Sequence, residues 1–236
     1  MLQKLTAYFS KFELALWLSS VTLVTGAFLV FDRSNFLSLI ASLLGVTALI
    51  FCAKGNPAGQ VMMIVFSLLY GYISYTFAYY GEMLTYLGMT MPMAAATLIS
   101  WLRHPFHGNK SEVKVGHISP QEVGLMLVLT AAVSAVFYFI LRFFHTANLL
   151  PSTFSVTTSF IAVYLTFRRI PFFAVAYAAN DLVLIVLWSL ASAEDIRYVS
   201  VLVCFVAFFV NDIYGFLCWQ RMGKRQAQAL AREHEP

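Results

Sequence analysis

Long apolar stretches alternate with short polar segments along this sequence. Charged residues, prolines or glycines separate the stretches, and each stretch is long enough to cross a bilayer, for which about 20 residues of helix suffice. We therefore predict eight membrane-spanning helices, at Leu14–Phe31, Phe36–Ala53, Ala58–Tyr80, Leu84–Leu102, Gln121–Phe143, Pro151–Phe167, Pro171–Ala191 and Tyr198–Trp219.

The composition agrees with this pattern, because 60% of the residues are hydrophobic and only 11% are charged. A soluble domain carries about 25% charged residues. Eight spans joined by short loops use up the 236 residues, so we predict one membrane domain with no soluble domain beside it. The net charge of +4 is spread along the chain, which does not indicate binding to nucleic acid.

The positive charges predict the orientation of the chain. An even number of spans places both termini on one side, and twelve of the 15 Lys and Arg residues then fall on that side. Because Lys and Arg are enriched in cytoplasmic loops, we expect both termini in the cytoplasm. Lys4 and Lys11 precede the first apolar stretch as in a signal peptide, but no convincing cleavage site follows before Asp32, which favours a retained helix.

The longest polar connection, Arg103–Pro120, divides the predicted helices into two halves. Helices two to four and the last three then share one orientation, as in a parallel internal repeat. Trp101 and Trp219 both end the third helix of a triplet, which supports the repeat. The predicted fold is an all-α polytopic membrane protein, a seven-helix body in a 3+1+3 repeat with an extra N-terminal helix. Its segments are residues 14–31 (extra N-terminal helix), 36–102 (first triplet), 103–143 (cytoplasmic linker and linker helix), 151–219 (second triplet) and 220–236 (cytoplasmic tail).

Two Asn-Asp pairs interrupt the apolar stretches, Asn180-Asp181 and Asn211-Asp212. A carboxylate at the centre of a bilayer costs about 2.5–3.5 kcal/mol on insertion scales, so an acidic residue there indicates a functional site. Helical spacing surrounds both acids with aromatic residues, in the stripes Tyr177, Asp181 and Trp188 and Phe208, Asp212 and Trp219.

Aromatic and carboxylate side chains together can stack a planar ring, bind ribose hydroxyls and attract a cationic ring. Two plainer alternatives are open for the same residues. The Trp residues could anchor the span ends at the membrane interface, and the Asp residues could hydrogen bond between packed helices. Gln60, Ser67 and Tyr70 form a second polar set on one face of the third helix, although the turn around Gly55–Gln60 could be a plain cytoplasmic loop.

The sequence motifs of several reaction classes are absent from this chain. The chain has no G-x-x-x-x-G-K-[ST] loop for ATP hydrolysis and no H-E-x-x-H motif. The three cysteines have no metal-ligand spacing, and all five histidines fall in loops or the tail. We therefore expect no metal, no cofactor and no enzymatic activity.

Several motifs resemble PnuC-type bacterial vitamin transporters. In the first half they are Cys52-Ala53-Lys54-Gly55-Asn56, Phe66–Gly71, Tyr80-Gly81-Glu82-Met83 and Trp101; in the second half they are Ser159–Arg169, the run through Asn180, and Asn211–Trp219. The resemblance covers roughly residues 36 to 225. It implies a seven-helix body, usually a homotrimer, in the bacterial plasma membrane. It also implies facilitated diffusion of nicotinamide riboside without a cofactor, drawn forward by phosphorylation inside the cell on the way to NAD; relatives carry thiamine or deoxynucleosides.

The sequence departs from the family at one motif. Where nicotinamide riboside carriers have Trp-x-x-Trp, this chain has Phe173-Ala174-Val175-Ala176, so a different set of side chains must hold the ring. The candidate substrate-binding residues are Phe173, Tyr177, Asn180, Asp181, Trp188, Asn211, Asp212, Gln60, Ser67 and Tyr70. The leading hypothesis is a carrier for a nucleoside-like vitamin precursor, first of all nicotinamide riboside. A thiamine or deoxynucleoside carrier, a proton-coupled carrier using Asp181, and a membrane-embedded enzyme or sensor are the alternatives.

Overall fold

The computed structural model describes residues 8–76, 80–146 and 148–233. Within these ranges, eight helices are long and apolar enough to span a membrane, which confirms the eight predicted spans. They are α1 (Lys11–Phe31), α2 (Phe36–Ala53), α3 (Ala58–Thr76), α4 (Tyr80–Arg103), α5 (Pro120–Phe143), α6 (Leu149–Phe167), α7 (Phe173–Glu194) and α8 (Val199–Glu233). A short 3-10 turn, Ile196–Tyr198, precedes α8.

Three helix boundaries differ from the sequence-based ones by about four residues or more. The third helix ends at Thr76, and residues 77–79, including Tyr79 of the predicted span, lie outside the described part. The next helix begins at Tyr80, so Glu82 belongs to its first turn and not to a loop. Residues 220–233 of the predicted tail continue α8 as helix, while 234–236 lie outside the described part.

Helix α4 contains a local widening. Its residues Tyr86–Thr90 form a π-helical turn between the α-helical segments Tyr80–Thr85 and Met91–Arg103. Such single-turn insertions shift the phase of a helix and occur frequently at functional sites. Here the turn lies on the helix that carries Glu82 and Tyr86 into the interior.

Six helices form a ring around the centre of the bundle. Helices α2, α3, α4, α6, α7 and α8 contact one another in that order, and α8 closes the ring on α2. Helix α1 packs outside the ring against α8 and α2, and α5 packs outside it against α6. We call these six helices the six-helix ring.

The two outer helices begin in the same way. Ser10 and Glu13 form a capping box at the start of α1, and Ser119 and Glu122 form one at the start of α5. In each box a serine hydroxyl and a glutamate carboxylate satisfy backbone N–H groups that the first turn would leave unpaired.

Each capping glutamate also pairs with a basic residue at the end of a ring helix. Glu13 contacts Lys54, which follows α2, at 3.1 Å, and Glu122 contacts Arg168, which follows α6. The side of the bundle where these pairs lie also carries both ends of the described chain. We call it the terminal side, and the side with the segments 32–35, 144–146 and 195–198 the opposite side.

The linker between α4 and α5 forms a small hairpin on the terminal side. Strands β1 (Pro105–Phe106) and β2 (Asn109–Val113) pair antiparallel, and the two turn residues His107 and Gly108 both have positive φ, as tight hairpin turns require. The sequence predicted a polar linker here, and the structure adds a two-stranded hairpin to it.

The linker lies across the terminal ends of both halves of the ring. The Val113 N–H donates to the Gly55 carbonyl at 3.0 Å, and the Gly116 N–H donates to the Arg169 carbonyl at 2.9 Å. Gly55 and Arg169 both adopt the left-handed conformation just after α2 and α6, with φ of 65° and 62°. The Gln226 side chain on α8 also donates to the Val113 carbonyl, at 3.0 Å. The linker therefore joins the ends of three ring helices.

Two tryptophans connect the halves deeper in the bundle. The Trp101 indole N–H, on α4, donates to the Thr166 carbonyl of α6 at 3.0 Å. The Trp219 indole N–H, on α8, donates to the Cys52 carbonyl of α2 at 2.8 Å. Both tryptophan side chains are fully buried, which rules out the alternative that Trp219 anchors a helix end at the membrane interface.

Candidate functional site

The six-helix ring encloses a central cavity. It holds about 1350 Å³ of space, counted out to its opening, and every ring helix contributes to its wall. The wall runs from Cys52, Gln60 and Phe173 near the terminal side to Glu82 and Trp188 near the opposite side. Small-molecule sites are usually concave and mostly apolar with a few convergent polar groups, and the lining of this cavity has that character.

Helix α7 turns one face towards this cavity. Phe173, Tyr177, Asn180, Asp181 and Trp188 all line it, as expected from their helical spacing. Phe173 lies near the terminal side, and its ring meets the edge of Trp219 with centroids 5.0 Å apart. The aromatic residues on this face therefore lie above and below the two polar ones.

The Asn180 side chain is held in place by α6. Its Oδ1 atom accepts hydrogen bonds from the Ser155 hydroxyl and the Thr158 hydroxyl, both at 2.9 Å. Because both bonds go to the oxygen, the amide NH2 group of Asn180 stays available as a donor in the cavity wall. An amide donor fixed in this way suits a ribose or amide oxygen of a ligand.

Asp181 on α7 and Asp212 on α8 meet across the helix interface. Their carboxyl groups are within hydrogen-bonding reach of each other, both side chains are at least nine-tenths buried, and both line the cavity. The Oδ2 atom of Asp181 has no hydrogen-bond partner. We call these two residues the acidic pair.

The first half of the ring supplies amide and aromatic groups opposite α7. Gln60 lines the cavity at the start of α3 and donates from Nε2 to the Cys52 sulfur at 3.4 Å. Tyr70 lies further along the cavity, where its ring packs against Tyr86 of the π-helical turn with centroids 4.8 Å apart. Gln60 therefore belongs to the cavity wall as well as to the start of α3 after the turn.

Two of the ten candidate residues point elsewhere. Asn211 is buried against α1, where its Nδ2 donates to the Ser20 hydroxyl at 2.9 Å and to the Ala207 carbonyl at 2.8 Å. Ser67 is fully buried and donates to the Met63 carbonyl of its own helix at 2.8 Å. Neither side chain lines the cavity, whose wall is formed at these points by the neighbouring residues Asp212 and Phe66.

Several cavity residues were missed from the sequence. Glu82 was assigned to an outward loop, and Tyr86 was not singled out, since nothing in the pattern indicated the π-helical turn that carries it. Ser155 and Thr158 resemble ordinary small residues of a packed helix. Hydroxyls three residues apart on one face of α6 were the available signal for them.

A second, smaller pocket lies next to the cavity on the opposite side. Tyr70, Glu82 and Trp188 line both spaces, so the two are neighbours. Asp195 and Arg197 line the smaller pocket and form an ion pair at 2.6 Å. The hydrogen bonds from Arg197 lower the pKa of the Asp195 carboxyl, which keeps this acid ionised near neutral pH.

The charges of the central cavity are of one sign. Glu82, Asp181 and Asp212 bring three carboxyl groups to its wall, and the described lining carries no Lys, Arg or His side chain. Among the described residues, no group of three or more His, Cys, Asp or Glu side chains could hold a metal ion. The cavity offers negative charge, amide donors and aromatic faces.

Eight membrane spans, six of which ring a central cavity lined by aromatic, amide and carboxyl side chains, define a multi-pass membrane protein of the carrier class. A family profile described as "Nicotinamide mononucleotide transporter" matches residues 35–221, and the chain belongs to this family.

Two known proteins are similar to this chain. The chain is 26% identical over 219 residues to a nicotinamide riboside transporter PnuC from Neisseria mucosa, covering 90% of this chain and 82% of the relative. Its fold matches a crystal structure of the vitamin B3 transporter PnuC with a TM-score of 0.78 at 23% identity, covering 92% of this chain and 94% of that one. The motif-based assignment to PnuC-type transporters is thereby confirmed.

Proposed function

We propose that this chain carries nicotinamide riboside across the membrane by facilitated diffusion, with its binding site in the central cavity. The observation that carries the proposal is the acidic pair inside a cavity lined by aromatic side chains. Nicotinamide riboside has a cationic pyridinium ring on a ribose. A buried carboxyl pair attracts such a ring, and aromatic faces stack on it.

The pyridinium ring lies, in this proposal, between Phe173, Tyr177 and Trp188 and beside Asp181 and Asp212. These aromatic residues take the place of the Trp-x-x-Trp motif, whose second position is Ala176 in this chain. The ribose hydroxyls then reach the amide NH2 group of Asn180 and the second N–H of Gln60, whose first N–H donates to Cys52; both side chains line the cavity. Tyr70 closes the wall on the far side.

The charge of the cavity also supports a choice among related ligands. Three carboxyl groups repel the phosphate of nicotinamide mononucleotide, whereas they favour the unphosphorylated cation. Thiamine has a cationic thiazolium ring, so the same observation favours it as the second candidate, ahead of the neutral deoxynucleosides. The relative from Neisseria mucosa is named a nicotinamide riboside transporter, which agrees with the first choice.

Movement of the ligand requires the cavity to open to each side in turn. We infer that two four-helix halves, α1–α4 and α5–α8, rock against each other, since matching contacts occur in both. Each half contains one capping box with a basic partner and one left-handed residue, Gly55 or Arg169. Each half also contains one tryptophan, Trp101 or Trp219, that bonds to the other half. In this view the N-terminal helix corresponds to the linker helix of the second half.

The two tryptophan bonds lie between the cavity and the terminal side. Both join a helix of one half to a helix of the other, so both must break or shift when the cavity opens there. Most of the basic residues that the structure describes fall on this side, which supports a cytoplasmic location for it and for both termini. The motif resemblance further implies a homotrimer, and the mass of the purified protein in detergent tests that assembly.

A ligand-stabilisation screen tests the proposed substrate. The purified protein is heated with nicotinamide riboside, nicotinamide mononucleotide, thiamine and deoxynucleosides, because a ligand that binds only the folded state raises the apparent Tm. We expect the largest rise with nicotinamide riboside, a smaller one with thiamine and none with the mononucleotide. A rise with the mononucleotide alone would contradict the proposal.

A further inference from the structure

We propose that Glu82 selects for the positive charge of the ligand at the boundary between the central cavity and the smaller pocket next to it. This inference rests on the proposed function and adds a specificity-determining residue to it. It concerns the path by which a ligand reaches the cavity from the opposite side. No proton is taken up or released along this path, so the passage of the ligand remains facilitated diffusion.

Three side chains lie between the two spaces. Tyr70 of α3, Glu82 of α4 and Trp188 of α7 line both the central cavity and the smaller pocket. A side chain that lines two neighbouring spaces forms part of the boundary between them, and we call these three the boundary residues. A ligand that enters the cavity through the smaller pocket therefore passes one carboxyl group and two aromatic rings.

Glu82 reaches this boundary because α4 begins close to the end of α5. A Cβ on Gly81 would lie 2.5 Å from Leu141 Cδ2 and 2.7 Å from Thr146 Oγ1, so the first turn of α4 packs directly against this region. Gly81 and Leu141 are both buried in the contact. The next residue, Glu82, lies about 100° further round the helix, where it lines the two spaces.

The carboxyl group of Glu82 is unpaired, unlike the other acids of the smaller pocket. Asp195 forms an ion pair with Arg197, and Asp32 accepts a hydrogen bond from the Ser34 hydroxyl at 2.7 Å. Glu82 makes neither a hydrogen bond nor an ion pair with any residue that the structure describes. Its negative charge is therefore not offset by a neighbouring cation and acts on a ligand that passes the boundary.

The boundary residues together favour a cationic ring. An unpaired carboxylate between low-dielectric walls attracts a cation and repels an anion, and Tyr70 and Trp188 offer aromatic faces to the same positive charge. Trp188 also packs on Tyr198 of the smaller pocket, with centroids 5.5 Å apart, so aromatic surface continues from the pocket into the cavity. The ligand is thereby selected for its charge before it reaches Asp181 and Asp212.

Exposure separates the charge of Glu82 from that of the acidic pair. Asp181 and Asp212 are 4% and 5% exposed, whereas Glu82 is partly exposed and borders a pocket lined by loop residues of the opposite side. Salt screens charges that water reaches and screens buried charges much less. Ionic strength should therefore weaken the attraction by Glu82 and leave that of the acidic pair largely unchanged.

The salt dependence of transport tests the inference. Purified protein is reconstituted into phosphatidylcholine vesicles, whose surface has no net charge and does not itself attract the ligand. Counterflow of labelled nicotinamide riboside is measured far below saturation, at about pH 8 and between about 20 and about 500 mM salt on both sides. We expect the rate of the parent protein to fall about three- to tenfold over this range, as the attraction of one carboxylate is screened.

Variants assign this salt dependence to Glu82. Glu82→Gln should lower the rate about three- to tenfold at low salt and leave it nearly unchanged at high salt, while Glu82→Asp should keep the salt dependence of the parent. Glu194→Gln is the matched control, because it removes the same charge from an exposed position on the same side that lines neither space, and it should behave as the parent protein. The ratio of the rates at low and high salt does not depend on the amount of active protein, so it separates a charge effect from a loss of folded carrier.

Three results would overturn the inference. A parent rate that does not change with salt would exclude an attracting charge on the path, and this measurement needs no folded variant. The same salt dependence in Glu82→Gln as in the parent would place the charge elsewhere, and loss of the salt dependence in Glu82→Asp would show a role for the shape of the side chain and not for its charge. Absence of transport of both nicotinamide riboside and thiamine by the parent would instead overturn the proposed function.

Discussion

Trp101 and Trp219 each donate a hydrogen bond from one half of the protein to the other. Their rings lie 5.4 Å apart, and each indole N–H donates to the last turn of the first ring helix of the other half, at Thr166 and Cys52. Neither bond could be formed within one half alone. The pair therefore ties the halves together below the cavity, on the terminal side.

Replacing either tryptophan with phenylalanine should lower the stability of the protein by a similar amount. Trp101→Phe and Trp219→Phe each remove one buried N–H donor while keeping most of the ring, which should cost about 1 kcal/mol of stability. In a chain of this size that corresponds to a fall in Tm of roughly 2–4 °C. Thermal unfolding in detergent measures it.

The matched control for these variants is Trp17→Phe. Its indole N–H donates to the Thr47 hydroxyl at 3.1 Å, a bond between α1 and α2 within one half. We expect a similar loss of stability but an unchanged exchange rate in liposomes, whereas the two cross-half variants should change that rate. Equal exchange rates in all three variants would argue against a gating role for the tryptophan bonds.

Asn180 and Asn211 provide a matched pair for the binding site. Both precede an aspartate, but only the Asn180 amide lines the cavity, while the Asn211 amide bonds to Ser20 on α1. Asn180→Ala should weaken binding of nicotinamide riboside about tenfold, the equivalent of one hydrogen bond of ~1.4 kcal/mol. Asn211→Ala should lower the Tm without changing the affinity. Equal affinities of the two variants would remove Asn180 from the site.

Gly116 tests the attachment of the linker. A Cβ at this position would lie 2.3 Å from the Arg168 carbonyl oxygen, which is backbone and cannot turn aside. Gly116→Ala should therefore cost about 1–3 kcal/mol, seen as a lower Tm in detergent. A Cβ on Gly124, in α5, meets nothing within 4 Å, so Gly124→Ala should be neutral or slightly stabilising. A loss of stability in Gly124→Ala as large as in Gly116→Ala would contradict this reading.

The ion pair of Glu13 with Lys54 should contribute more to stability than the surface pair of Glu112 with Arg225. The Glu13 side chain is only 5% exposed, whereas Arg225 is 63% exposed. Double-mutant cycles isolate each coupling energy. We expect more than about 1 kcal/mol for the buried pair and between about 0 and 1 kcal/mol for the exposed one, because water screens the latter. The reverse order would be unexpected for this burial.

Much of the fold could be predicted because membrane-spanning helices are recognisable from the length and hydropathy of their apolar stretches. The eight spans and the Asn180-Asp181 element followed from where polar residues interrupt apolar stretches. The direction in which a single side chain points was harder to predict. Periodicity fixes which residues share a face, but not which face turns inward, so Asn211 was counted among the candidate site residues although its side chain bonds to Ser20 on α1.

Features that depend on contacts between distant segments were not predicted from the sequence. The π-helical turn at Tyr86–Thr90, the placement of Glu82 in the cavity wall and the hairpin ending at Val113 are examples. The hairpin, for example, is held by a bond from the Val113 N–H to the carbonyl of Gly55, which follows α2. Local propensity carries little information about such contacts.

Counterflow in liposomes tests the central claim most directly. Purified protein is reconstituted into vesicles loaded with unlabelled nicotinamide riboside, and labelled nicotinamide riboside is added outside without any ion gradient. The account predicts transient, saturable accumulation of the label, which thiamine reduces and nicotinamide mononucleotide does not. Absence of counterflow for nicotinamide riboside, thiamine and the deoxynucleosides alike would contradict a passive carrier with its site in the central cavity.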